Sequence, residues 1–236
     1  MKLSILIPVY NEERTVAALL DRVLAVDVGA EKEVVVVDDA CTDGTPAILE
    51  RYRDRVRLLH HEHNRGKGAA LRTALALATG DFVVPQDADM EYEPADLRLL
   101  LETARARGAR IVYGSRRLHP ENRQYSALSF YVGGVLVTWV ANLLYGLRLT
   151  DEPTCYKLVD RTLLDEMALQ CERFEFCAEV TAKAARLRVP IVEVPILYRP
   201  RHLKEGKKIR ARDGLETILT LIRYLWWRPR GDSADS

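Results

Sequence analysis

The sequence predicts an α/β domain with a mostly parallel central sheet flanked by helices, and three observations carry that prediction. Short apolar runs alternate with helix-patterned segments through the first half of the chain. One run, Val34 to Val37, is unbroken valine, too β-branched for a comfortable helix and apolar enough for a strand covered on both faces. Acids gather just past the ends of the runs, at Asp38, Asp39, Asp87 and Asp89, where parallel sheets bind their ligands.

Leu3 to Val9 reads as the first strand. Glu12 to Val26 follows as a helix, because Val16, Leu19, Leu20 and Val23 fall on one face. After the valine strand, Thr45 to Tyr52 reads as a helix, Val56 to His60 as a strand and Gly68 to Ala78 as an Ala/Leu-rich helix. A strand begins at Phe82, a helix runs from Pro94 to Arg107 with proline in its first turn, and Arg110 to Tyr113 is the next strand. The second half is less regular. Ser126 to Leu147 holds no charged residue and is long enough to raise the question of a membrane span. Ser129, Gly133, Gly134, Thr138, Asn142 and Gly146 dilute it, so the expectation is a buried or membrane-surface helix. A strand near Tyr156 to Val159, a helix from Glu175 to Leu187 and a strand from Ile191 to Leu197 follow. Arg199 to Arg212 is a loop with seven Arg/Lys against one Glu. The last helix, Asp213 to Trp227, carries an apolar stripe (Leu215, Ile218, Leu219, Leu221, Ile222, Leu225, Trp226) bordered by Arg223, Tyr224, Trp227, Arg228 and Arg230. The chain thus divides into a domain over residues 1–212, an amphipathic membrane-surface or packing helix over 213–230, and a disordered tail over 231–236.

A chain of 236 residues, 48% hydrophobic and 29% charged, fits one globular domain. Its net charge of +1 gives no global field to recruit nucleic acid, so basic sites must be local. Cys41, Cys155, Cys171 and Cys177 lack paired zinc spacing, and Met1-Lys2 runs straight into a strand. The expectation is a cytoplasmic protein with reduced thiols and no signal peptide.

Asp87 and Asp89, one residue apart at a strand's end, are hard oxygen donors of the kind that suit Mg²⁺ or Mn²⁺ bridged to substrate phosphates. Such a pair alone is more often a solvated turn. Three neighbours give it weight. Tyr10-Asn11-Glu12 sets an aromatic, an amide and a carboxylate after the first strand, suited to stacking on a base and accepting from base or ribose. Asp38-Asp39 is more than the capping of a turn requires. Asn64-Arg65-Gly66-Lys67-Gly68 opens a helix but lacks the full Gly-x-x-x-x-Gly-Lys-Ser/Thr pattern, which excludes a phosphate-loop ATPase.

Taken together, Pro8-Val9-Tyr10-Asn11-Glu12-Glu13, Val37 to Thr45, Asn64 to Ala70 and Asp87-Ala88-Asp89 resemble glycosyltransferase family 2, the inverting enzymes of the GT-A fold. Thr150 to Lys157 and Glu193 to Arg201 are similar to its polyprenyl- and dolichyl-phosphate sugar synthase branch, which includes the dolichol-phosphate mannose synthases. The resemblance implies that Pro8, Tyr10, Glu12, Val37 and Asp39 hold the nucleotide base and ribose, with Ala88 contacting the nucleotide through its backbone. It implies that Asp87 and Asp89 flank the diphosphate, with Asp89 a direct metal ligand and Glu91 a third candidate, and that the cofactor is Mg²⁺ or Mn²⁺. Arg116 would lie on phosphate, Arg201 and Lys207 on a loop closing over donor and acceptor phosphates, and Arg123 would add a further cation. Ala40 stands where the family commonly has glycine, Cys155 likewise, and Lys157 where arginine is usual. Cys177 and Ala178 stand where related chains often carry Glu-Pro.

The expected reaction moves mannose or glucose from GDP-mannose or UDP-glucose to a polyprenyl phosphate, at the cytoplasmic membrane face. A phosphate monoester with a second pKa near ~6 is largely dianionic at neutral pH and needs no strong base. Two further readings share the motifs. One keeps the donor but uses a soluble or glycan acceptor with Asp151 or another acid as base, and the other is a non-catalytic nucleotide-sugar binding protein at the membrane.

Overall fold

The computed structural model describes residues 1–122, 127–201 and 211–229. Strand and helix alternate as β1 (Lys2–Val9), α1 (Val16–Ala25), β2 (Glu31–Asp38), α2 (Thr45–Glu50), β3 (Arg57–His60), α3 (Lys67–Leu75), β4 (Phe82–Pro85), α4 (Asp96–Arg107) and β5 (Ile111–Ser115). Then come α5 (Leu128–Tyr145), β6 (Lys157–Asp160), α6 (Arg161–Met167), α7 (Phe176–Arg186), β7 (Val192–Pro195) and α8 (Ala211–Arg223), closed by a 3-10 turn at Tyr224–Trp226. One sheet has the order β3-β2-β1-β4-β6-β5-β7. β6 runs antiparallel to β4 and β5, and every other pairing is parallel.

Helices cover both faces of the sheet, as parallel strands require. On one face Leu3, Ile5, Ile7 and Val9 of β1 pack with Leu19, Leu20 and Val23 of α1 and Leu97, Leu100 and Leu101 of α4. On the other, Leu6, Val35 and Val37 pack with Ala70, Leu71 and Ala74 of α3 and with α6, α7 and Leu221 of α8. A buried polar group closes that second layer. Lys183 Nζ lies 2.6 Å from Glu179, and Tyr224 Oη donates to the same carboxylate at 2.8 Å. Both charged side chains are fully buried.

The structure departs from the sequence expectation at three places. The first helix starts at Val16 rather than Glu12, because Asn11 takes the left-handed φ of 50° and Glu12 to Thr15 forms a turn that feeds the helix. The short α6 was not anticipated. Its start signal is Asp160, whose side chain accepts from the Leu163 N–H, within a strand-ending Val-Asp-Arg-Thr. The last helix begins at Ala211, two residues before the expected Asp213. Lys207 and Arg123 lie outside the described residues.

Glu33 of β2 ties three segments together at the sheet's lower end. Its carboxylate accepts from Ser4 Oγ at 2.5 Å, Thr79 N at 2.6 Å and Thr79 Oγ1 at 2.9 Å, and pairs with Lys2 at 3.1 Å. Burial alone would raise its pKa, but the bonds from Ser4, Thr79 and Lys2 outweigh it and hold the group at about 2. A depressed carboxylate contributes stability above its unfolded pKa and loses it as pH falls toward the folded value. Glu33→Gln should therefore lower unfolding free energy by about 1–2 kcal/mol at pH 7. The difference from wild type should shrink steadily below the unfolded value of 4.5 and vanish near about 2. Denaturant unfolding across that range measures it.

Candidate active site

The strand order reverses direction between β1 and β4, the place where an open α/β sheet leaves a crevice at its carboxyl edge. A cleft of about 1320 Å³ opens there, larger than the ~300–1,000 Å³ typical of a single small-molecule site. Pro8, Tyr10, Glu12, Asp39, Asp87, Ala88, Asp89, Glu91, Arg116 and Arg201 all line it. Val37 does not. Its side chain is fully buried in the α3-side core, because strand alternation directs it into the layer below the sheet.

Four carboxylates and two cations meet in the middle of the cleft. Lys67 Nζ lies 2.5 Å from Asp87. The Arg201 guanidinium donates to both Glu12 oxygens, at 2.9 and 3.2 Å, and to Asp89 at 3.3 Å. Its backbone N–H donates to Glu91 at 2.8 Å, and Tyr198 Oη donates to the other Glu91 oxygen at 2.5 Å. Asp89 is crowded: burial, then Asp87 and Glu91, push its pKa up to about 7, with Arg201 pulling the other way. Between them Met90 adopts φ 62°, and the Glu91 N–H donates to Asp89 at 3.1 Å. Left-handed backbone at a non-glycine residue is strain of the kind that collects at functional sites.

Asp39 has a different task from Asp89. It accepts from His61 Nδ1 at 2.7 Å and from the N–H groups of Arg65 and Gly66 at 2.9 and 2.8 Å, so it pins the loop that opens α3. Gly66 takes φ 93°, and a Cβ there would stand 2.5 Å from the Glu172 carbonyl oxygen. This pinned loop delivers Lys67 to Asp87. Sequence reasoning set the loop aside as an incomplete phosphate cradle and did not see that its lysine serves the acidic pair. A single cation at a helix start, facing a strand-end acid, was the available signal.

Arg116 is already paired. Nε and Nη2 each donate to Asp151 at 2.7 Å, the backbone N–H adds a third bond at 3.0 Å, and the guanidinium lies 5.0 Å from the Tyr198 ring centroid. Nη1 takes no part in that pair. Asp151 is fully buried, and although burial favours its neutral form, Arg116 outweighs it and holds the pKa below the ordinary value. Both Asp151 oxygens are taken by Arg116 and the residue is not among those lining the cleft, which argues against it as a general base.

Among the described residues, no group of three or more His, Cys, Asp or Glu side chains stands ready to enclose a metal ion. The donor chemistry still suits a divalent cation bound by one or two protein oxygens, with ligand oxygens completing the shell. Asp87 and Asp89 are hard donors whose mutual repulsion a cation would relieve. Glu91 fits such a role less well, since both its oxygens already accept hydrogen bonds.

The chain matches the family model described as glycosyl transferase family 2 over residues 4–166. It is 33% identical to an undecaprenyl-phosphate mannosyltransferase of Micrococcus luteus, over 95% of this chain and 94% of the relative. It is 30% identical to a dolichyl-phosphate beta-glucosyltransferase of Drosophila melanogaster, over 95% of this chain and 76% of that one. Glucosyl-3-phosphoglycerate synthase of Mycobacterium tuberculosis, solved with Mn²⁺, UDP and glucosyl-3-phosphoglycerate, matches with TM-score 0.71 at 22% identity, over 95% of this chain and 80% of that chain. That likeness shows the fold, which is of the GT-A type.

Ala40, in the usual glycine position, does adopt a left-handed φ of 58°. An alanine there carries backbone strain that glycine would not. Ala40→Gly should raise unfolding free energy by about 0.5–1 kcal/mol while leaving nucleoside diphosphate affinity unchanged, as thermal melts and calorimetry would register.

Proposed function

The chain belongs to glycosyl transferase family 2 and is a glycosyltransferase, and on that premise we propose that it moves mannose or glucose from a nucleotide sugar to a polyprenyl phosphate at a membrane surface. One observation carries this reading: the charged cleft opens directly onto an exposed apolar face. On α5, Leu128, Val132, Val135, Leu136, Trp139 and Leu143 are exposed at helical spacing, Trp139 by 59% and Leu143 by 65%. On α8, Leu215, Leu219, Ile222 and Trp226 are exposed in the same way. Leu136 and Leu215 also line the cleft, so both stripes reach its mouth. An acceptor with an apolar tail and a phosphate head needs such a junction.

The last helix therefore divides the two roles expected of it. Leu221 and Tyr224 are buried against the domain, while the opposite stripe stays outside. α5 is apolar and long enough to span a membrane by length and composition. Its polar residues are nonetheless committed to the domain. Thr138 Oγ1 accepts from the Glu152 N–H, Asn142 bonds both backbone groups of Leu149, and Tyr145 Oη donates to the Leu221 carbonyl at 2.6 Å. These bonds support a helix lying along a membrane rather than crossing it, with exposed Arg148, Arg223 and Arg228 available to anionic headgroups.

Within the cleft, Tyr10 offers a ring to the base and Glu12 a carboxylate to base or ribose. Asp89, with Asp87, would hold Mg²⁺ or Mn²⁺, which when bound supplies positive charge to the leaving diphosphate. Arg201 lies near the start of the cation-rich loop and would exchange its carboxylate partners for phosphate oxygens when donor and acceptor are present. Bringing two anions together makes that charge the main requirement, since a phosphate dianion supplies its own nucleophile. The reading with a soluble or glycan acceptor loses its named base in Asp151.

Asp89→Asn should lower turnover at least about 100-fold, and chelator should abolish wild-type activity until Mg²⁺ or Mn²⁺ is restored. The assay is nucleoside diphosphate release, with and without polyprenyl phosphate. Full activity of Asp89→Asn in excess chelator would overturn the metal assignment.

Trp139→Glu with Leu219→Glu should abolish co-sedimentation with anionic liposomes and leave donor binding in solution intact. Point substitutions suit this test because removing α8 would also remove Tyr224 from the buried Glu179–Lys183 pair. Undiminished sedimentation of the folded double variant would refute docking through this face.

A further inference from the structure

Glu152 is fully buried, yet it lines the cleft. Among the described residues, four buried side-chain polar atoms have no hydrogen-bond partner, and of these only Glu152 Oε2 and Arg201 Nε belong to residues of the cleft. The other Glu152 oxygen is fixed. Oε1 accepts from Thr181 Oγ1 at 2.9 Å and lies 3.7 Å from Lys157 Nζ. Lys157 is itself held in place, donating to the Glu152 carbonyl at 2.7 Å and to Thr181 Oγ1 at 3.1 Å, with its ammonium 3.6 Å from the Tyr113 ring centroid. A buried carboxylate oxygen left without a donor is costly, and native proteins keep such atoms where something else supplies the hydrogen bond.

The ligand chemistry of the cleft narrows what that donor is. A phosphate dianion has no hydrogen to give and is repelled by a carboxylate. A polyprenyl chain has none either. The base and ribose are accounted for at Tyr10 and Glu12. The hydroxyl groups of a hexose remain. Glu152 also adjoins the rest of the cleft: its partner Thr181 Oγ1 lies 3.0 Å from the carbonyl oxygen of Cys177, itself a cleft-lining residue.

We propose that Glu152 Oε2 accepts a hydrogen bond from one hydroxyl of the transferred hexose and so selects which sugar is carried, an assignment that rests on the hexose-transfer reading above. Lys157 and Thr181 are positioning residues in this scheme. They hold Oε1 in place and leave Oε2 as the oxygen open to a further donor. A site of this kind discriminates between epimers, since an inverted hydroxyl leaves the buried oxygen unpaired.

The test is calorimetric and needs no acceptor. Affinities are measured for UDP-glucose, GDP-mannose, UDP, GDP and nucleotide sugars lacking one hydroxyl each. For wild type, removal of one particular hydroxyl should weaken binding by about 10–100-fold, the strength of a hydrogen bond to a charged group, with the remaining deletions near neutral. In Glu152→Gln that discrimination should fall by about tenfold. In the paired variant Glu152→Leu/Lys157→Met, which removes the buried charges together and so spares the fold, it should disappear while UDP and GDP affinities hold. Either variant that melts cooperatively serves. If nucleotide sugars bind but no hydroxyl deletion matters, the oxygen faces water only and the assignment is wrong. If a folded variant keeps the wild-type preference, another residue reads the sugar. If neither nucleotide sugar binds, the hexose-transfer reading falls and takes this assignment with it.

Discussion

Like-charge repulsion at the mouth of β1 and β4 is the constraint around which the rest of the site is built. Glu12, Asp87, Asp89 and Glu91 converge on one cleft and are themselves largely buried, so that their charges interact more strongly than in water. Lys67 and Arg201 make that tolerable, and each reaches its place by a long structural route. Lys67 needs the α3 loop held by Asp39 and a Gly66 that lets the backbone pass under Glu172. Arg201 needs β7 beside β5 and the Tyr198–Glu91 bond that fixes the start of its loop. The cations bind the acids, and under the proposed function the substrates' phosphates would compete for the same cations, so that donor affinity would be a difference between two similar attractions.

Much of this was legible along the chain, for reasons that differ element by element. The valine strand and the acids at strand ends are local patterns, and local patterns survive translation into structure. Val37 was assigned to the pocket by its place in a motif, yet the pleat sends its side chain into the core and away from the cleft. Asp39 lines the cleft as expected, and its bonds to His61, Arg65 and Gly66, which the motif does not announce, shape the loop that opens α3. The pairings that organise the centre are not local at all: Arg116 with Asp151, Lys67 with Asp87, Arg201 with Glu12 from the far end of the domain. No periodicity announces such contacts, because they depend on which strands become neighbours. The reversed β6 was equally hidden, since a four-residue strand carries no mark of its direction.

The two helices at the cleft's mouth make a related point about amphipathic stripes. An apolar stripe in α8 wide enough to serve two surfaces was read as a choice between packing and docking. It packs on one side and stays exposed on the other, with Leu221 and Tyr224 inward and Leu219 and Trp226 outward. α5 looked like a single hydrophobic block, and its polar residues looked like dilution. They are its attachments to the domain, and they leave its exposed stripe pointing away from it.

The bond from Tyr224 to the Glu179–Lys183 pair has a consequence for the order of events during synthesis. The α7 layer encloses two opposite charges that are fully partnered only when Tyr224, 45 residues further along the chain than Glu179, arrives. A nascent chain that has already laid down most of its sheet still has an open seam there, with the apolar inner sides of α6 and α7 uncovered. Closure of the domain therefore waits until the segment through Tyr224 has emerged from the ribosome. Until then the same apolar helices are available to chaperones or to the nearest bilayer.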